Sequence, residues 1–227
     1  MPVLGFAILT AVAAMPSPDA SKKGADTPEA AAKALIAAAA KGDRAGLLAV
    51  LDDDAGKVLS AFLVYIDAMK RFDEALERKF GAVPRRPFSA ASEIVGMYYG
   101  GEFVSAVEKP DGMVEVRIRR TTKRPDGMTD ICTSRVPAVK TPNGWKLYFP
   151  VVGVRAGSVV KEEDAEGNLR YELDYTDRAV WQKSTAEMMK GFDPANKAVA
   201  DILSKVEAGQ YKSRAEAQAA LTNAMQK

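Results

Sequence analysis

The 227-residue chain contains no histidine and only one cysteine, Cys132. Without histidine, Ser-His-Asp and Cys-His catalytic sets in their usual form are excluded, as are zinc sites built on histidine or several cysteines. One cysteine allows no intramolecular disulfide. No base beside Cys132 in the sequence would lower its pKa, so it reads as a small packing residue rather than a nucleophile. Carboxylate-only sites for calcium or magnesium stay open, but no D-x-D-x-D-G loop is present, and neither a metal nor a cofactor is implied. An excess of charge of one sign is missing too. The 32 basic and 30 acidic side chains leave a formal net charge of +2, so no bulk field argues for nucleic acid or a membrane surface.

The apolar run at 3–14 (VLGFAILTAVAA) is uncharged, ends in small residues and is too short to span a bilayer. Its length suits the core of a signal peptide with cleavage near Ala14, although no Lys or Arg precedes it. The alternative is an apolar strand or helix of the domain itself. The export reading implies a secreted or periplasmic protein. Residues 15–26 are polar and rich in Pro, Ser and Lys, a composition expected to form a disordered linker.

With 47% hydrophobic and 27% charged residues, the remainder can bury one sizeable core. Thr27-Pro28-Glu29 reads as N-cap, first-position proline and first-turn acid of a helix that stops near Gly42. Asp43 can cap a short second helix. Asp52-Asp53-Asp54 can cap a third, spanning 55–80 and ended by Gly81, with one broad apolar stripe. The acid triplet could hold a metal, but its commoner use is at a helix N-terminus, where negative charge meets the positive dipole end.

Three turn signals follow: Pro110-Asp111-Gly112, Pro125-Asp126-Gly127 and Pro142-Asn143-Gly144. Proline presets φ, Asp or Asn suits the third turn position, and Gly closes a bulged hairpin. The runs between them, 103–107, 113–121, 128–139 and 145–149, make a four-stranded antiparallel meander. Val114, Val116 and Ile118 alternate with Glu115, Arg117 and Arg119, the period of a sheet with one buried and one wet face. Trp145, Leu147 and Phe149 continue the buried set and are expected to face the third helix. Pro137 cannot donate to a ladder, so the third strand needs a bulge or an unpaired side there. Residues 151–173 fit an irregular excursion or one further hairpin. A helix over 177–190, a second starting at Asp193-Pro194, and a third opened by the capping box Ser213-Arg214-Ala215-Glu216 complete the chain. The fold class is α+β: N-terminal helices on a four-stranded or larger antiparallel meander over 27–174, and a helical extension over 175–227. That extension could pack back on the domain or present Met188, Met189, Ile202 and Leu221 to a partner or a second copy as a homodimer.

The leading A-x-x-A-L helix, the Lys41-Gly42-Asp43-x-x-x-Leu47-Leu48 continuation and the Gly144-Trp145-Lys146 strand start resemble the nuclear-transport-factor-2-like superfamily, over about residues 27–149. The resemblance implies an α+β cone whose sheet wraps a long helix. Some members are enzymes using tyrosine and aspartate in an apolar pocket, which would make Tyr98, Tyr99, Asp130 and Tyr148 catalytic candidates here. The long third helix and the C-terminal extension depart from that pattern.

Spacing itself supports one further signal. Basic residues crowd 113–149, and alternation places Arg117 and Arg119, with Arg135 or Lys146, on one sheet face. Arginine forks suit carboxylate and phosphate, so a weakly held anionic polymer or lipid headgroup could dock there; a solvated sheet face is the plainer use. Aromatic platforms for nucleic acid are absent from the stripe. The sequence thus favours a secreted, non-catalytic domain binding a small molecule or a protein partner, over an acid–base pocket enzyme or an anion-binding face.

Overall fold

Thr27 opens the first helix: its hydroxyl accepts the Ala30 N–H, and Pro28 takes the first position. The computed structural model describes residues 24–82, 100–149 and 158–226. The expected leader, most of the linker, Tyr98 and Tyr99 lie outside the described residues. Helix α1 (Pro28–Lys41) ends at Gly42, whose φ of 63° suits its place as C-cap. Asp43 caps α2 (Arg44–Val50), and Asp52 caps α3 (Asp53–Phe80) by accepting the Asp54 N–H. The acid triplet therefore serves a helix start, and Asp53 also meets Lys146 at 3.2 Å.

The meander follows as β1 (Glu102–Glu108), β2 (Val114–Lys123), β3 (Thr129–Thr141) and β4 (Gly144–Leu147). Gly112 and Gly127 take φ of 78° and 87° in the first two turns, where each N–H bonds back to the carbonyl three residues earlier. Two more strands, β5 (Ser158–Glu163) and β6 (Leu169–Asp174), form a hairpin, so among the described residues the sheet has six strands. It is mostly antiparallel. The exception is β6, which runs parallel to β3 from Asp130↔Leu169 to Arg135↔Asp174. Two contacts far apart in sequence set this register: Arg124 donates to the Gly167 carbonyl at 2.6 Å, and the Thr129 N–H donates to Asn168 at 2.8 Å.

β3 changes partners along one edge. It pairs with β6 as far as Arg135 and with β4 from Ala138 onward. Pro137 sits in the step between them. Its carbonyl accepts the Tyr148 N–H at 2.9 Å, so its amide position, which has no N–H to give, faces the same edge. The unpaired side predicted from Pro137 is this step.

Val114, Val116, Ile118, Val136, Ala138 and Leu147 form the sheet's share of a first core, closed by Leu35 and Leu47 of α1 and α2 and by Leu59, Leu63 and Ile66 of α3. Helices α1 and α2 lie directly on β4. Leu147 and Phe149 are buried, whereas Trp145 is half-buried against this core and bridges to Ala25. Gly24 and Ala25 thus pair with the turn before β4 and with its start.

One long helix, α4 (Arg178–Glu207), replaces the two expected around Pro194. Proline removes a hydrogen bond and crowds the preceding turn, which is why the sequence predicts a break. Packing overrides it: Phe192 meets Phe62 edge-on at 6.0 Å, and the face continues through Val199, Ile202 and Val206 along α3. With α5 (Arg214–Met225) these residues form a second core around Phe72 and Leu76. The C-terminal helices pack back on the chain, and Trp181 of α4, 1% exposed, belongs to the first core. Among the described residues no helix is long and apolar enough to cross a membrane.

Candidate functional site

The first candidate is the wet face of the sheet. Register puts Arg117 opposite Arg135, and Arg119 opposite Thr133. Alternation also predicts an exposed Glu115, yet its side chain is fully buried. Three cations cover it: Arg135 at 2.7 Å, Arg117 at 2.8 Å and Lys109 at 2.9 Å. Burial alone would raise the Glu115 carboxyl, but hydrogen bonds from Arg135, Lys109 and Arg117 outweigh it and bring the pKa down to about 2. Arg135 also reaches Asp174 at 3.2 Å and Glu172 at 3.4 Å on β6, and Arg119 meets Glu102 at 3.4 Å. Each of the three predicted ligand-binding arginines therefore already has an acid. An open groove of about 410 Å³ remains beside them, lined by Arg117, Arg119 and Thr133 and by Arg170 and Glu172 of β6. Arg170 was not legible as a member because its strand joins through the parallel pairing.

Of the catalytic candidates, Asp130 and Tyr148 are described, and they are not brought together. Asp130 lies 3.3 Å from Arg124 near the start of β3, in register with Leu169. Tyr148 lies beside Pro137, seven residues further along that strand, or about 23 Å at a strand's rise. The Cys132 thiol is pushed up by burial, away from nucleophilic use.

The second candidate is a cleft of about 660 Å³ at the step where β3 exchanges β6 for β4. Met113, Val139, Trp145 and Tyr148 give it apolar wall, and Lys140 and Arg178 give it positive charge. Tyr148 is 3% exposed. Its ring meets Trp181 edge-on at 5.0 Å, the Arg178 guanidinium lies 5.0 Å from its centroid, and Arg178 donates to its hydroxyl at 2.6 Å. Burial, then the nearby Asp52 carboxylate, raises the Tyr148 phenol; Arg178 opposes them without prevailing. Burial likewise raises Asp52.

Comparison with protein-family models, curated proteins and solved structures finds no match to this chain. The chemistry of the two sites then has to decide. The groove is a charged surface whose arginines are matched by acids. The cleft is a concavity of ligand size whose wall combines apolar side chains with the polar groups of Asp111, Lys140, Thr176, Asp177 and Arg178. Sequence reasoning found Tyr148 by its type. It missed Arg178, which lies thirty residues on, and took Trp145 for core only. Among the described residues no cluster of acids and Cys132 could hold a metal ion.

Proposed function

We propose that the chain is an exported, non-catalytic α+β domain, of the nuclear-transport-factor-2-like kind, that binds a small molecule in the cleft at the Pro137 step. The observation that carries this reading is the cleft itself: about 660 Å³ walled by Met113, Val139, Trp145 and Tyr148, a size and lining suited to a small organic ligand. The 3–14 run supports export. The acid–base alternative is disfavoured by the direction of the phenol. A raised Tyr148 stays protonated at neutral pH, so it can donate a hydrogen bond but is a poor proton acceptor, and Asp130 is not within reach. Anion docking through Arg117, Arg119 and Arg135 is disfavoured by the acids already beside them.

A fragment screen by ligand-observed NMR tests the reading. Hits are expected to perturb the fluorescence of Trp145, which lines the cleft. Ala179→Trp, which fills the mouth from the first turn of α4, is expected to abolish them while far-UV circular dichroism stays unchanged. Hits that survive this substitution, or no hit at millimolar concentration, overturn the cleft as a binding site.

A further inference from the structure

The cleft wall carries two acids and two bases, and they are not equivalent. Asp111 accepts the Met113 N–H at 3.1 Å within its hairpin turn. Asp177 is the N-cap of α4 and accepts the N–H groups of Ala179 and Val180 at 3.0 and 3.1 Å. Both carboxylates are therefore directed into backbone donors, and Asp177 answers the positive end of a thirty-residue helix. The bases are different. Among the described residues no acid lies within ion-pair distance of Lys140 or Arg178. The hydrogen-bond partner of Arg178 is the Tyr148 phenol, which takes one of its five donors and is also met by the Asp52 carboxylate. The contrast with the sheet's wet face is direct, because Arg117, Arg119 and Arg135 there all meet carboxylates.

Resting on the cleft reading above, we infer that the ligand is a small apolar or aromatic carboxylate. Its flat body lies against Trp145, Met113 and Val139, and its carboxylate is taken by Arg178 and Lys140. Tyr148 holds the guanidinium through the ring contact and the hydroxyl, which leaves the other donors of Arg178 for a ligand carboxylate. Lys140 and Trp145 are cross-strand partners between β3 and β4, which sets the cation beside the surface that would hold the apolar body.

A matched pair of probes tests this: 2-naphthoate and its neutral isostere 2-naphthamide, titrated by calorimetry and tryptophan fluorescence into the wild type, Lys140→Gln, Arg178→Gln and Ala179→Trp. The naphthoate is expected to bind at least about tenfold more tightly than the amide, as charge-assisted hydrogen bonds exceed neutral ones. Lys140→Gln, at an exposed position, is expected to weaken the naphthoate by about three- to tenfold and the amide by clearly less. Arg178→Gln should do more. Equal binding of the two probes, abolished by Ala179→Trp, overturns the carboxylate inference while the cleft reading stands. Equal sensitivity of both probes to Lys140→Gln overturns it as well. Binding of neither probe to the wild type, or binding that Ala179→Trp does not touch, removes the cleft reading and this inference with it.

Discussion

Glu115→Gln removes one negative charge from the centre of a network crossing the β1–β2 turn, β2, β3 and β6. The substitution keeps volume but turns one acceptor oxygen into a donating amide, so it removes the charge and also one of the two acceptors that the three cations share. The Glu115 carboxyl is fully buried, while Lys109, Arg117 and Arg135 are 30%, 40% and 24% exposed. Water can therefore partly replace the carboxylate around the cations, and the loss stays below that of stranding a buried charge. A carboxyl held at about 2 rather than its ordinary 4.5 has its ionised form stabilised by about 3 kcal/mol. The expected cost of Glu115→Gln at pH 7 is thus on the order of 2–3 kcal/mol. The pH dependence has a definite sign. Because the folded-state value is depressed, this stabilisation is complete above the unfolded-state value of 4.5 and disappears as pH falls toward 2. Urea unfolding of both proteins, followed by circular dichroism from pH 8 to pH 2.5, should show a constant gap above about pH 5 that closes steadily below it. A gap under about 0.5 kcal/mol at pH 7, or one that stays constant into acid, would refute the reasoning.

Two other outcomes are expected. Gly144 has φ of 112°, and a Cβ there would lie 2.7 Å from the Ala25 carbonyl oxygen, so Gly144→Ala should destabilise by about 1–3 kcal/mol and accelerate amide exchange at Ala25 and Trp145; unchanged exchange there would mean the N-terminal residues do not pair with β4. N-terminal sequencing of the native protein should begin near Ala14 or Met15 in an extracytoplasmic fraction; an intact Met1 in the cytoplasm would sink the export reading.

The meander was legible because its information is local: each Pro-Asp-Gly or Pro-Asn-Gly turn carries its own conformational preference within a few residues. The parallel β3–β6 pairing was not, since it depends on Arg124 and Thr129 reaching a turn about forty residues away. Local signals also misled at Pro194, where the helix-breaking tendency is real but smaller than what α4 gains by keeping its face on α3. Alternation assigned Glu115 to the correct face of β2 and the wrong burial, because a period of two says which side a residue is on and not what covers it. The cleft was hidden for a similar reason. Tyr148, Arg178 and Asp52 come from three elements and meet only once β3 has changed partners.

The bridge between Ala25 and Trp145 bears on how the molecule is made. The first described residues find their partner about 120 positions later, α1 and α2 rest on β4, and α3 packs along α4. A chain emerging from its N-terminus therefore presents three helices before the sheet and α4, on which most of their buried faces rest, exist. Isolated helices as short as α1 and α2 are unstable in water, and pairings this distant close slowly. Until the sheet through β4 is synthesised, the nascent polypeptide lacks part of the surface on which its first half settles. The same wiring that holds the finished domain together makes its core depend on the elements synthesised last.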